Sequence, residues 1–297
     1  MATIGFKELA RRHQIKYREE VLKVGGGAYE THLTEADALK GLIFYNGFNI
    51  FDIAKERLNP HLEQNKACFA NMLRSEHIPF NFFVPLRQDL EYAKNLLNRF
   101  VSGIIAFIND IKIEFAPVPE LALKDRTSFD VYIEYLNISG KLGILGIEVK
   151  YTEREYKLIP KSKEEKDINN PDSIYNTLTG KIGLYRKEII EKEKLKTDEF
   201  RQVWRNQLLG ESMTRKNHSD SRFDHFTSII LYPKGNDHFR NLIPAYRSFL
   251  NRGHESSFIS ITYEEFIKTA REFTAKPEYL RWLQYLEDRY ILLPKTD

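Results

Sequence analysis

Residues 129–153 read FDVYIEYLNISGKLGILGIEVKYTE, and this segment shows the clearest β-hairpin pattern in the chain. We predict a first strand that carries Asp130, a turn at Asn137 to Lys141, and a second strand from Leu142 to Tyr151. The second strand is largely apolar, which is typical of a strand that lies inside a protein.

Three charged side chains stand out against this apolar background. Because strand side chains alternate between faces, Glu148 and Lys150 are expected to point to one side and Val149 to the opposite layer. The hairpin can bring Asp130 beside them. Two carboxylates and one ammonium in a buried strand pair cost stability unless their charge is compensated, and a divalent cation could do so.

The hairpin is one part of a longer pattern of strands and helices. Helices are predicted at residues 5–24, 34–42, 60–75, 89–108, 181–196, 199–215, 239–251, 262–273 and 277–290, and further strands at 111–115, 225–232 and 258–261. The aromatic stretch IPFNFFVPL at 78–86 is interpreted as a hydrophobic connection. Three neighbouring strands, a helical crossover and a further strand predict an α/β (α+β) fold, with a mixed central sheet and helices on both faces.

The composition limits the class of protein without identifying it. The net charge of +3 permits contact with a polyanion but does not by itself indicate one. A single cysteine, Cys68, excludes an internal disulfide and a cysteine-based zinc cluster. The apolar runs are too short to span a bilayer, so we expect a cytoplasmic protein with no membrane partner.

The acidic and basic residues of the hairpin resemble those of a known group of enzymes. Asp130, followed by Glu148-Val149-Lys150 on a hairpin, resembles the PD-(D/E)xK nuclease superfamily, which has the restriction-endonuclease-like fold. The segments from LKDRTSFD to VKYTE, RNQLL and ILYPKGN resemble a little-characterised bacterial group within it, over about residues 55 to 245. Phe129 stands where many members have proline.

This resemblance implies a metal site and a set of catalytic residues. Asp130 and Glu148 would bind Mg²⁺, with Mn²⁺ as a substitute, and the backbone carbonyl of Val149 would be a further ligand. Lys150 would orient the attacking water or stabilise the transition state.

The superfamily also uses a third carboxylate from its first helix. Glu63 is the candidate for this metal ligand, and Glu114 on the preceding strand is the alternative.

Polar residues near the predicted helix at 199–215 extend this set. Arg205 and Gln207 would hold the phosphate or the lysine as further catalytic residues, while Arg126, Gln202 and Arg205 would contact nucleic acid. For Arg205, pairing with a nearby carboxylate is an equal alternative. The lysine-rich stretch at 157–166 also contains acidic residues, so we predict a solvated loop, with a clamp on DNA as the alternative.

The resemblance also suggests how the chain is divided. We expect an N-terminal helical extension at 1–58, a nuclease-like core at 59–245 and a C-terminal helical segment at 246–297, packed as one unit. The expected function is a metal-dependent endonuclease acting on nucleic acid, with DNA preferred to RNA, in restriction, defence or repair. The alternative is a catalytically silent nuclease-fold protein that binds nucleic acid or a partner protein. Cutting both strands would favour a homodimer.

Overall fold

A five-stranded mixed β-sheet lies at the centre of the computed structural model, which describes residues 4–58, 66–217, 219 and 221–292. The strands are β1 (Ile105–Phe115), β2 (Phe129–Asn137), β3 (Leu142–Val149), β4 (His225–Tyr232) and β5 (Phe258–Thr262). They are arranged in chain order across the sheet. The pairs β1–β2 and β2–β3 are antiparallel, whereas β3–β4 and β4–β5 are parallel, which confirms the predicted mixed sheet.

Helices precede the sheet, connect its strands and follow it. In the described part of the chain they are α1 (Phe6–Tyr17), α2 (Glu35–Leu39), α3 (Ile50–Leu58), α4 (Lys66–Ala70), α5 (Ile78–Gln88), α6 (Leu90–Asn98), α7 (Lys163–Asn169), α8 (Ile174–Ile182), α9 (Lys187–Glu191), α10 (Arg201–Ser212), α11 (Asp237–Arg247), α12 (Tyr263–Glu272) and α13 (Pro277–Tyr290). Helices α7 to α10 form the crossover between the parallel strands β3 and β4.

Each face of the sheet is covered by its own hydrophobic layer. One layer contains Ile147 and Val149 of β3 together with buried residues of α1, α3, α5, α6, α12 and α13. The other contains Ile144 of β3 and Ile230 of β4 together with buried residues of α7 to α11. The predicted placement of helices on both faces is therefore confirmed.

Helices α1 and α13 meet in the first layer. The Gln14 side chain of α1 donates a hydrogen bond to the Arg289 carbonyl of α13 at 2.7 Å. The Trp282 indole of α13 donates to the Asn81 carbonyl of α5, also at 2.7 Å. Residues from all three predicted segments thus share one core.

The aromatic stretch at 78–86 is a helix, not the connection that the sequence predicts. Every residue from Ile78 to Leu86 is buried, so this part of α5 has no polar face. A helix that is apolar all round lacks the periodic pattern by which helices are recognised in a sequence. Pro79 lies in the first turn, where proline is tolerated because its missing N–H would have no intrahelical partner.

Strand β1 is longer than predicted, because the helix expected at 89–108 ends early. Helix α6 ends at Asn98, and β1 already begins at Ile105. The Asn98 side chain donates to the Ile105 carbonyl and accepts from the Ile105 N–H, both at 2.9 Å. This pair of bonds reverses the chain, and apolar spacing alone cannot reveal it.

In the part of the chain that the structure describes, no helix combines the length and apolar character needed to cross a membrane.

The contact between α10 and β4 leads to a stability prediction. A Cβ atom at Gly210 of α10 would lie 2.1 Å from the Phe226 ring of β4, so Gly210→Ala would push the helix away from the sheet. We expect unfolding to become easier by about 1–3 kcal/mol, the usual cost of overpacking. The matched control is Gly180→Ala in α8, where a Cβ would meet nothing within 4 Å. That change should stabilise the protein by about 0.5–1 kcal/mol. Equal effects of the two changes on urea denaturation would contradict the close approach.

Candidate active site

Two carboxylates face each other across the β2–β3 hairpin. Val131 pairs with Ile147, and in an antiparallel ladder the next pair outward is Asp130 with Glu148. The Asp130 Oδ2 atom accepts a hydrogen bond from the Val149 N–H at 2.7 Å. The structure thus brings together the two acids that the sequence predicts.

A third carboxylate, Glu114, extends this row onto β1. The residues on either side of Glu114 pair with the residues on either side of Asp130. Glu114, Asp130 and Glu148 therefore lie on three neighbouring strands, in one line across the sheet. Of the two residues considered for the third acid, Glu114 is at the site, whereas Glu63 lies outside the described residues.

The backbone of Glu114 is in an unusual conformation. Its φ of 56° lies in the left-handed region, which costs free energy for a residue that is not glycine. Arg57 of α3 donates from Nε to the Ile113 carbonyl at 3.2 Å and from a second nitrogen to the Glu114 carbonyl. The sequence gives no signal for this role of Arg57, because the contact spans more than fifty residues.

Lys150 forms an ion pair with Glu148. The Nζ atom lies 2.6 Å from Glu148 Oε1, and both side chains are buried. The backbone of Lys150 is fixed as well: its N–H donates to the Leu231 carbonyl at 2.9 Å, and its carbonyl accepts from the Tyr263 hydroxyl at 2.6 Å. The prediction that Glu148 and Lys150 share one face, opposite to Val149, is confirmed.

Helix α10 supplies two amides to Glu148. Gln202 Nε2 donates to Oε1 at 2.6 Å, and Asn206 Nδ2 donates to Oε2. These residues are four apart and therefore lie on the same face of the helix. The sequence predicts that Gln202 contacts nucleic acid and does not single out Asn206, although their spacing was a usable signal.

Gln207 points elsewhere. Its side chain is fully buried, and its Nε2 atom donates to Glu211 at 3.3 Å. The structure therefore does not bring the Gln207 side chain to the carboxylates, and the residue before it, Asn206, contacts Glu148 instead.

The Arg205 guanidinium forms hydrogen bonds with residues outside the row of acids. It donates to Glu164 at 2.7 Å, to Thr127 at 2.8 Å and to Asp125 at 3.3 Å. This is the carboxylate pairing that the sequence left as an alternative to phosphate contact. Arg126, next to these partners, is exposed.

Burial and mutual repulsion perturb the acids. Burial raises the pKa of Asp130 well above its usual range, and the charges of Glu148 and Glu114 raise it further. Burial and the nearby Glu148 raise the pKa of Glu114 to about 7. Burial alone would lower the pKa of Lys150, but Glu148 and Asp130 outweigh it and the net pKa is raised. The net direction favours the charged ammonium form of Lys150.

This donor set suits a divalent cation. Carboxylate oxygens are the ligands that hard cations prefer, and a positive ion would stabilise the charged carboxylates whose pKa values burial and mutual repulsion raise. Among the described residues, however, no three acidic, histidine or cysteine side chains already converge as a metal cluster. Glu148 would have to exchange some of its present donors for the ion.

The raised pKa of Glu114 leads to a pH prediction for the metal-free protein. The folded state keeps a proton between pH 4.5 and about 7 that the unfolded state releases, so stability must fall as the pH rises through this window. We expect Glu114→Gln to remove part of this fall, on the order of 2 kcal/mol. Urea denaturation in the presence of a chelator, at several pH values, measures the difference. If the free energy of unfolding varies with pH in the same way in both proteins, the pKa of Glu114 is not raised in the folded state.

Comparisons with known proteins identify the family. A search of curated proteins and a search of solved structures return no match. A family model described as the PD-(D/E)XK nuclease superfamily matches residues 3–292, which is more than the segment from 55 to 245 that carries the resemblance in the sequence. The match includes the residues before α3 and those of α13, and it covers nearly the whole chain. With this match and a mixed sheet flanked by helices, the chain belongs to the PD-(D/E)XK nuclease superfamily.

Proposed function

We propose that this protein is a divalent-metal-dependent endonuclease that hydrolyses phosphodiester bonds in DNA. The observation that carries the proposal is the row of Glu114, Asp130 and Glu148 on neighbouring strands, with the buried ammonium of Lys150 beside it. Nucleases of this superfamily generally use divalent metal ions. We expect Mg²⁺ to be the natural ion, with Mn²⁺ as a substitute.

The three acids would hold the metal, with the carbonyl of Val149 as a further ligand. When bound, the ion neutralises charge on the phosphoryl oxygens and lowers the pKa of a coordinated water. The raised pKa values of Asp130 and Glu114 support this assignment, because burial first and the neighbouring carboxylates second disfavour their charged forms, and a bound cation would counter both effects.

Lys150 would act on the reacting phosphate through its positive charge. An ammonium that exchanges Glu148 for a phosphoryl oxygen stabilises the negative charge that develops in the transition state. Gln202 and Asn206 would be positioning residues, since each amide fixes one oxygen of Glu148.

The proposal includes a cellular compartment and an oligomeric state. A DNA endonuclease acting in bacterial restriction, defence or repair works in the cytoplasm, and cutting both strands favours a homodimer with two sites. A mass measurement in solution, with and without DNA, tests the dimer.

The function is tested by incubating the purified protein with closed circular plasmid, linear duplex DNA, single-stranded DNA and RNA, with Mg²⁺ or Mn²⁺. We expect nicking or linearisation of the plasmid, which only an endonuclease can produce, and no cleavage in the presence of a chelator. If none of these substrates is cut with either metal, the catalytic proposal fails.

One observation favours the alternative of a catalytically silent nuclease-fold protein that binds nucleic acid or a partner protein. Both oxygens of Glu148 already accept hydrogen bonds from amides, and Lys150 is paired with it. A site that stays closed would bind no metal, so calorimetric titration with Mn²⁺ separates the two functions. Heat of Mn²⁺ binding that disappears in Asp130→Asn supports the nuclease, whereas no heat together with retained binding of nucleic acid supports the silent protein.

A further inference from the structure

We propose that residues 154–163, here called the basic arm, bind the phosphates of a single nucleic-acid strand next to the carboxylates, with Tyr156 stacked on one of its bases. This inference rests on the proposed function, since it concerns how a substrate strand is held at that site. The basic arm begins shortly after Lys150 and ends at the first residue of α7.

The outward charge of the arm is positive. Lys157, Lys161 and Lys163 are exposed. The charge of Lys157 acts on nearby Asp198 and helps to lower its pKa, after the hydrogen bonds from Arg201 and Leu158. Arg154 and Glu155 are also exposed and offset each other. Three exposed ammonium groups within seven residues form a surface that attracts phosphates.

Three acids that flank the arm are held by hydrogen bonds within the protein. Glu153 accepts from the Ser75 N–H at 3.0 Å, and Glu164 accepts from Arg205 at 2.7 Å. Glu165 accepts from the backbone N–H of Lys161 at 2.6 Å. The hydrogen-bonding capacity of these acids is thus partly used within the protein, while the lysine side chains of the arm are exposed.

Helix α10 holds the arm close to the carboxylates. Buried Arg201 donates to the Tyr156 carbonyl, and Asp198 accepts from the Leu158 N–H at 3.0 Å. The next residue of the helix, Gln202, donates to Glu148. Consecutive residues of one helix, Arg201 and Gln202, thus contact the arm and a proposed metal ligand.

Two apolar side chains on the arm also lack a place in the core. Tyr156 is 49% exposed and Ile159 is 66% exposed. An aromatic ring among basic side chains suits a strand with unpaired bases, because the ring stacks on a base while the ammonium groups contact phosphates. A duplex offers no open base faces for such stacking.

The test is a binding experiment on the full chain in a chelator, so that no cleavage can occur. The probe is a labelled single-stranded DNA oligonucleotide, followed by fluorescence anisotropy. Combined replacement of Lys157→Gln, Lys161→Gln and Lys163→Gln should weaken binding by about tenfold. It should also make the slope of log affinity against log salt shallower by about 2, since each lost contact to a single strand contributes about 0.7. Tyr156→Leu should weaken single-strand binding severalfold and leave duplex binding unchanged.

The control carries the same change in net charge at exposed lysines on other elements. Lys141 lies at the turn between β2 and β3, Lys181 on α8 and Lys268 on α12. Replacing these three with glutamine should leave the affinity and the salt slope within about twofold of the wild type.

The outcomes separate this inference from the nuclease proposal. The proposal that the arm binds a single strand is overturned if the arm and control variants bind equally, or if the wild type binds no single-stranded DNA. If the triple lysine variant loses binding, the control variant does not, and the wild type cuts nothing with Mg²⁺ or Mn²⁺, the proposal for the arm is supported and the nuclease proposal fails. Loss of duplex and single-strand binding to the same extent in Tyr156→Leu would overturn the stacking.

Discussion

Lys150→Ala is expected to lower the rate of DNA cleavage by about a hundredfold or more, the usual cost of removing one group that stabilises charge in a transition state. Lys150 is the buried cation beside the three acids, and its raised pKa favours the charged form. Metal binding should survive, because the variant still has its carboxylates. The measurement is the initial rate of plasmid nicking with Mn²⁺ at saturating substrate.

The control for this change is Lys141→Ala. Lys141 is exposed at the turn of the same hairpin, at the far end of β3 from Glu148, so its loss should leave the rate within about twofold. Circular dichroism shows whether both variants are folded. If Lys150→Ala cuts as fast as Lys141→Ala, Lys150 has no part in catalysis.

Asp130→Asn is expected to abolish metal binding and to reduce cleavage by about two to three orders of magnitude. Asparagine keeps an oxygen that can accept from the Val149 N–H, so the local fold should be retained. In the metal-free protein the variant should be more stable than the wild type near pH 7. The pKa of Asp130 is raised by burial and by neighbouring acids, so its charge opposes folding there.

Calorimetry with Mn²⁺ and thermal denaturation in a chelator test the two halves of this expectation. Asp110→Asn is the control, because Asp110 lies on β1 in a partly exposed ion pair with Lys112. It should change neither metal binding nor the melting temperature by much. Unchanged Mn²⁺ affinity in Asp130→Asn would exclude Asp130 as a ligand, and a lower melting temperature would contradict its unfavourable burial.

The hairpin was predictable because its signals are local. Alternation along β2 and β3 places Asp130, Glu148 and Lys150, and one cross-strand register brings them together. The same holds for β4 and α13, whose predicted bounds agree with the structure. The mixed sheet followed from the order of these elements.

Long-range contacts account for what the sequence did not reveal. The place of Glu114 depends on the register between β1 and β2 and on Arg57, which reaches the strand from α3. The choice of Asn206 over Gln207 depends on how α10 is rotated against the sheet. Helix α5 was missed because it is buried on all sides and has no polar face to mark its period.

The most direct test of the metal site is a crystal structure of the protein soaked in Mn²⁺, with anomalous diffraction data collected to locate the ion. The three-strand arrangement predicts an anomalous peak at the row of carboxylates, between Asp130 and Glu148, with Lys150 displaced from Glu148. Crystals at saturating Mn²⁺ with no peak at these carboxylates, or with Mn²⁺ bound only elsewhere, would contradict it.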